Sequence, residues 1–213
     1  TEADRDFVRR AVSYCRLFTA RDALAAALVA ELGLDAPLIP CTALLHAPDD
    51  AIPAAPPAEG RPLVLVNYME GGGHYDWAQD VDAAAWERTV RELIRRLETR
   101  FRVAFLCHTP AEAALAERLR PDLERRLPRT PEEFVRDTRD AMTAVCNRMH
   151  ASVGMAGLGI PSVAIGTDTR LAMVEQVGLP ARYVKEATAD VLERDVEDLI
   201  ARRDEHRTRL LEL

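Results

Sequence analysis

The chain has 213 residues, of which 48% are hydrophobic and 30% charged, and its formal net charge is −7. This composition is typical of a globular protein with one large domain or one and a half smaller ones. The acidic balance argues against a nucleic-acid binder that works by neutralising phosphates, and no apolar run reaches the roughly 18 residues of a membrane-spanning helix.

Residues 1–50 are predicted to form the end of an α/β layer. A strand over residues 11–18 is expected to lead into a helix that begins near Asp22 and ends at Gly33. A second strand over residues 37–45 would complete a β-α-β unit. The proline-rich residues 51–62 are then predicted to be a linker between two domains.

From Leu63 onward, short apolar runs alternate with segments of helical periodicity. Strands are predicted at residues 63–68, 103–107, 142–146, 161–165 and 182–184. Thr109 and Thr188 are placed to cap the helices that follow them. This order predicts an α/β fold with a Rossmann-like, doubly wound and mostly parallel sheet over residues 63–213.

The four cysteines, Cys15, Cys41, Cys107 and Cys146, occur singly and without the CxxC spacing of metal or redox sites. Each lies in an apolar context, which favours buried free thiols over disulfides. We therefore expect a protein of the reducing cytoplasm.

Residues 146–170 carry the clearest indication of a ligand site. Arg148 and His150 follow the third strand of the predicted sheet, and Asp168 and Arg170 follow the fourth. Alternation would place Arg148 and His150 on the same side of the chain. The carboxyl ends of parallel strands meet at one edge of a sheet, where open α/β proteins bind their ligands. The pattern therefore favours an anion site over a surface ion pair and a capping histidine.

A helix of small residues is expected to begin at Ala151. Its first turn, which includes Ser152, would offer backbone N–H groups to a phosphate or carboxylate. His108 ends the second predicted strand and would point toward the same edge of the sheet.

Two other segments are less specific. The loop EGGGHYDW lacks the GxGxxG spacing of a dinucleotide site. Its glycines would allow a ligand to approach the backbone, with His74 in the lining, or would simply make the loop flexible. Arg21, at the start of a helix, would face a cleft between domains. The sequence contains no HExxH, GxSxG or P-loop motif and no paired-cysteine zinc spacing, so metal-dependent, serine-hydrolase and NTPase functions have no support.

The stretch NRMHASVGMAGLGIPSVAIGTDTR resembles the C-terminal signature of the polysaccharide pyruvyl transferase family. Arg148 and His150 match its R-x-H element, residues 159–161 match G-[IV]-P, and Asp168 and Arg170 match D-x-[KR]. The segments FTARDALAAALVAELGL and PCTALL extend the resemblance, which covers residues 12–45 and 140–185. Family members usually carry a tyrosine near Thr167 and a lysine in place of Arg170.

The resemblance implies a GT-B-like architecture, in which two Rossmann-like domains face a cleft. Residues 1–50 would be the end of the N-terminal domain, 51–62 the linker and 63–213 the C-terminal domain. It also implies an enzyme that transfers pyruvate, as a ketal, from phosphoenolpyruvate to a sugar of a surface polysaccharide, without a metal or redox cofactor.

The resemblance further assigns roles to the candidate residues. His150 would be the general acid that protonates the methylene carbon of phosphoenolpyruvate. Arg148 and Arg170 would hold its carboxylate and phosphate, and Asp168 would orient one of these cations. The expected substrate-binding set is completed by Ser152, Arg21, His74 and His108.

Two other functions stay open from the sequence. A GT-B glycosyltransferase would use the same arginines and histidine to bind the diphosphate of a nucleotide sugar. A non-catalytic domain would bind an anion or a partner protein. The expected partners are therefore a small anionic donor and a saccharide acceptor, not nucleic acid, and a homo-oligomer is compatible with the sequence.

Overall fold

The computed structural model describes residues 1–45, 60–72 and 80–212. Two compact units form, residues 1–42 and residues 43–213. Most of the predicted linker and the His74 part of the glycine-rich loop lie outside the described residues. The domain boundary at residues 51–62 and the GT-B-like pairing of two domains therefore stay predictions.

The first unit is built from two helices, α1 (Glu2–Ser13) and α2 (Ala23–Glu31). The side chains of Thr1 and Asp4 form a capping box at the start of α1. The side chain of Asp22 accepts a hydrogen bond from the Ala25 amide at 2.8 Å, and Gly33 follows α2 with a φ of 75°. The predicted start and end of this second helix are confirmed.

Both strands predicted in the first 45 residues are wrong. Residues 11–13 belong to α1, whose capping box starts a helix well before the predicted strand. Residues 37–45 contribute only a parallel bridge between Ala20 and Leu38, followed by a 3-10 helix at Thr42–Leu45. Pro37 and Pro40 lack backbone N–H groups, so a longer ladder cannot form there. The expected β-α-β unit is thus reduced to α2 and one bridge.

The second unit contains a six-stranded parallel sheet. Its strands are β1 (Leu63–Asn67), β2 (Arg102–Leu106), β3 (Arg125–Arg126), β4 (Ala141–Cys146), β5 (Ser162–Gly166) and β6 (Ala181–Tyr183). The helices are α3 (Ala83–Leu97), α4 (Pro110–Leu119), α5 (Pro131–Thr138), α6 (Met149–Gly157), α7 (Leu171–Gln176), α8 (Ala189–Ala201) and α9 (Arg203–Leu211). Thr109 caps α4 and Thr188 caps α8, as predicted.

Alternate residues of β1 supply two separate cores. Val64 and Val66 join a cluster with side chains of α3, α4 and α8, whereas Leu63 and Leu65 join a cluster that includes residues of α6. Helices therefore cover both faces of the sheet, and β1 is buried along its whole length. The predicted α/β fold with a parallel sheet and helices on both faces is confirmed.

The strand order is β3-β2-β1-β4-β5-β6. From β1 the chain extends the sheet first toward β3 and then, from β4, in the opposite direction. The junction between β1 and β4 is therefore a topological switch point, where a crevice opens at the carboxyl ends of the strands. β3 was not predicted, because two consecutive arginines at a sheet edge give no apolar signal.

The four cysteines are free thiols, but their environments differ. Cys107 and Cys146 are buried, as predicted, and burial raises the pKa of each thiol to about 12. Cys15 is exposed and Cys41 is partly exposed, so the prediction of burial is wrong for these two. Across the three described ranges, no helix combines the length and apolar character needed to cross a bilayer.

Candidate functional site

A cavity of about 100 Å³ lies at the carboxyl edge of the sheet, beside the switch point. Met69 and Gly72, which follow β1, contribute to its lining, as do residues 147–150 after β4. The remaining lining comes from Gly166, Thr167 and Arg170, at and after the end of β5. Segments that are far apart in sequence thus meet around one small space.

Two buried asparagines hold these segments together. The Asn67 amide donates to the Leu106 carbonyl at 2.9 Å, and its Oδ1 accepts from the Arg148 backbone N–H at 2.7 Å. Asn147 Oδ1 accepts from the Met69 N–H at 3.1 Å, and its amide donates to the Gly72 carbonyl at 3.3 Å. Sequence reasoning missed both residues. Their signal was a polar residue directly after each of two apolar runs, LVLV and AVC.

Arg148 is held by a buried carboxylate that sequence reasoning also missed. Its Nε donates to Glu112 Oε1, and the second oxygen of Glu112 accepts from the Asn67 amide at 3.0 Å. Burial raises the pKa of the Glu112 carboxyl, but contacts with His108 and Arg148 outweigh burial and lower it to about 2. Glu112 is therefore ionised at neutral pH, and its charge fixes the orientation of Arg148.

His150 is an exposed residue in the first turn of α6 and lines the cavity. The helix begins at Met149, two residues earlier than predicted, so strand alternation does not extend to Arg148 and His150. Arg148 is the N-cap and makes no side-chain capping bond, because arginine has no acceptor. The positive end of the α6 dipole therefore adds to the cationic side chains at the cavity.

Arg170 reaches the cavity from the end of β5 and is paired with Asp168. Its Nε lies 2.8 Å from Asp168 Oδ1, and its Nη2 lies 2.5 Å from Oδ2. The same carboxylate accepts from the Arg170 backbone N–H at 2.9 Å. Asp168 thus contacts the guanidinium through both of its carboxylate oxygens.

The described lining contains two arginines and a histidine but no carboxylate. Both acidic partners, Glu112 and Asp168, contact the arginines without lining the cavity. In the part of the chain that the structure describes, no three His, Cys, Asp or Glu side chains are grouped as metal ligands. This arrangement can bind a small anion through fixed cations and backbone dipoles.

Comparison with known protein families identifies the chain. The family model described as polysaccharide pyruvyl transferase matches residues 1–169. The chain belongs to the polysaccharide pyruvyl transferase family. No curated protein matches the chain. Within the family match lie Arg148, His150 and Asp168, whereas Arg170 follows it by one residue.

Two further residues that were predicted to bind the substrate, Ser152 and His108, do not line the cavity. Ser152 is fully buried, and its hydroxyl contacts that of Ser162 at 2.6 Å, between α6 and β5. The early start of α6 turns this side chain toward the sheet, so the structure does not bring it to the cavity lining. His108 does not line the cavity either. Its backbone N–H donates to Glu112 Oε2 at 2.9 Å, and its ring packs near Phe134.

Two predicted residues are not placed with the others. Arg21 belongs to the first compact unit, where its Nε lies 3.8 Å from Asp22 Oδ2. His74 lies outside the described residues. Their contribution to substrate binding stays a prediction.

Proposed function

We propose that the cavity binds phosphoenolpyruvate and that the protein transfers pyruvate from it, as a ketal, to a sugar of a surface polysaccharide. The observation that carries this proposal is that Arg148, His150 and Arg170 line one cavity that has no carboxylate in its described lining. Phosphoenolpyruvate has two anionic groups, and two arginines match them. The cavity that would hold it has a volume of about 100 Å³.

Each arginine has a geometry that suits an anion. Glu112 and Asp168 accept hydrogen bonds from the Nε atoms of Arg148 and Arg170. The two guanidinium groups are therefore oriented before the substrate binds. Such preorganisation lowers the entropic cost of binding. The N-terminal end of α6 adds partial positive charge beside Arg148.

His150 would supply the proton for the first chemical step. It adds a proton to the methylene carbon of phosphoenolpyruvate, which becomes a methyl group, and positive charge develops at C2. A sugar hydroxyl then forms a bond to C2 and loses its proton. In the second step the C2–O bond to phosphate breaks, inorganic phosphate leaves, and a second hydroxyl of the sugar closes the ketal with loss of its proton. Histidine suits this role because it both holds and releases a proton near neutral pH.

Calorimetric titration with phosphoenolpyruvate and, separately, with UDP-glucose tests this function. We expect phosphoenolpyruvate to bind and inorganic phosphate to compete with it. Arg148→Lys should raise the Kd about tenfold, because lysine cannot form a bidentate contact. Arg136→Lys on α5, where the side chain is 65% exposed, is the control and should leave the Kd unchanged.

Two results would overturn the proposal. Binding of UDP-glucose without binding of phosphoenolpyruvate would point to a nucleotide-sugar transferase. Binding of phosphoenolpyruvate without transfer to any saccharide acceptor would leave an anion-binding domain.

A further inference from the structure

The cavity lining includes two polar side chains that the proposed reaction does not use, those of Asn147 and Thr167. The Asn147 side chain is already bonded to the Met69 N–H and the Gly72 carbonyl. Thr167 directly follows β5 and is 2% exposed. Its hydroxyl is closed to solvent and has no hydrogen-bond partner in the part of the chain that the structure describes. A buried hydroxyl without a partner is unfavourable, because it has lost its bonds to water and gained none in return.

The other buried serine and threonine hydroxyls in the described residues are paired, whereas the buried Tyr68 hydroxyl also lacks a partner there but does not line the cavity. Thr143 of β4 is fully buried, and its Oγ1 donates to the Pro161 carbonyl at 2.9 Å. Ser152 and Ser162 contact each other at 2.6 Å. Thr167 therefore differs from these serines and threonines in lacking a partner among the described residues, and it also lines the cavity.

From this contrast we infer that Thr167 binds the donor substrate, with its hydroxyl donating a hydrogen bond to an anionic oxygen of phosphoenolpyruvate beside Arg170. The inference rests on the proposed function, since it assigns a further contact in the same cavity. Arginine has no acceptor atoms, so the hydroxyl cannot be satisfied by donating to Arg170. An anionic oxygen held by Arg170 is an acceptor of the required kind. Rotation about χ1 changes the direction in which a threonine hydroxyl points.

If Thr167 binds the substrate in this way, removing its hydroxyl should weaken binding without lowering the stability of the fold. Valine has the shape of threonine without the hydroxyl, so Thr167→Val removes only a donor that has no partner among the described residues of the free protein. Its urea midpoint should equal or exceed that of the wild type. Its Kd for phosphoenolpyruvate should rise about tenfold, because a hydrogen bond to an anion is lost. Thr167→Ser keeps the hydroxyl and should bind within about threefold of the wild type.

Thr143→Val is the matched control. It removes a hydroxyl that is paired with the Pro161 carbonyl, so its urea midpoint should fall while its Kd for phosphoenolpyruvate stays unchanged. If the inference is correct, Thr167→Val weakens binding without lowering the urea midpoint, whereas Thr143→Val lowers the urea midpoint without weakening binding.

Calorimetric titration of the four proteins with phosphoenolpyruvate, together with urea unfolding without ligand, decides the matter. Wild-type affinity in Thr167→Val would overturn the role of Thr167 while leaving the proposed function intact. A lowered urea midpoint in Thr167→Val would also overturn it, because the hydroxyl would then be structural. Failure of the wild type to bind phosphoenolpyruvate would instead contradict the proposed function.

Discussion

The buried carboxylate of Glu112 pairs with the Nε of Arg148, although the two residues are 36 positions apart in sequence. Glu112 is 4% exposed, whereas the Arg148 side chain is 31% exposed and reaches the cavity. The carboxylate also accepts from the Asn67 amide and from the His108 backbone N–H. One charge on α4 therefore positions a cation at the end of β4.

Replacing this carboxylate should weaken substrate binding. We expect Glu112→Gln to raise the Kd for phosphoenolpyruvate five- to tenfold, because Arg148 loses the charge that orients it. The free energy of unfolding should fall by about 2–3 kcal/mol, since bonds to a charged group in a buried site are lost. Calorimetry and urea unfolding measure the two effects.

Glu117→Gln is the control on the same helix. Its side chain is 65% exposed and lies 3.7 Å from Arg125, a surface pair that contributes little. It should change neither quantity measurably. If Glu112→Gln were destabilised but bound phosphoenolpyruvate as tightly as the wild type, Glu112 would be structural only.

The low pKa of Glu112 predicts how stability depends on pH. Its folded-state pKa of about 2 lies below the ordinary value, which is about 4.3 for glutamate. The ionised carboxylate therefore stabilises the folded state fully above about pH 5, and this contribution is lost as the pH falls toward 2. A difference of roughly two pKa units corresponds to about 3 kcal/mol.

Urea unfolding of the wild type and Glu112→Gln at pH 3, 5 and 7 tests this dependence. The difference in unfolding free energy between the two proteins should be the same at pH 5 and pH 7 and smaller at pH 3. A difference that stays constant down to pH 3 would show that the carboxylate is not held ionised by the fold.

Gly72 occupies a position that leaves no room for a side chain. Its φ is 73°, and an added Cβ would lie 2.1 Å from Val184 Cγ2. Its carbonyl also accepts from the Asn147 amide at the cavity. Gly72→Ala should therefore lower the free energy of unfolding by about 3 kcal/mol, combining left-handed strain with overpacking, and should weaken binding of phosphoenolpyruvate.

The preceding glycine separates these two causes. Gly71 has a φ of 65°, but nothing lies within 4 Å of an added Cβ. Gly71→Ala should cost only about 1 kcal/mol of strain. Equal losses of stability in the two variants, measured by urea unfolding, would mean that contact with Val184 is unimportant.

The strands of the sheet could be predicted where a continuous run of apolar residues indicates a buried strand. The run LVLVN is buried at every position, and a continuous apolar run of that length indicates a central parallel strand. β3 was not predictable, because its two arginines are held at the edge by backbone pairing with β2 rather than by burial. The strand predicted at residues 37–45 failed because apolar content was given more weight than the two prolines.

The site was predictable to the extent that it follows from topology. Parallel strands bring their carboxyl ends together, and this placed Arg148, His150 and Arg170 at one cavity. Contacts that depend on the packing of α4 could not be found in the same way. Glu112 lies within an ordinary amphipathic helix and has no spacing that connects it to Arg148. Ser152 was misplaced because a shift of two residues in the start of a helix rotates its side chains by about 200°.

The most direct test of the account is pyruvyl transfer from phosphoenolpyruvate by the His150→Ala variant. His150 is exposed, so the variant should unfold at the wild-type urea concentration and bind phosphoenolpyruvate within about tenfold of the wild type. Loss of the general acid should lower transfer to a saccharide acceptor, measured as phosphate release and ketal formation, by at least about 100-fold. Transfer at a rate within a few-fold of the wild type would contradict the assignment of His150 as the proton donor.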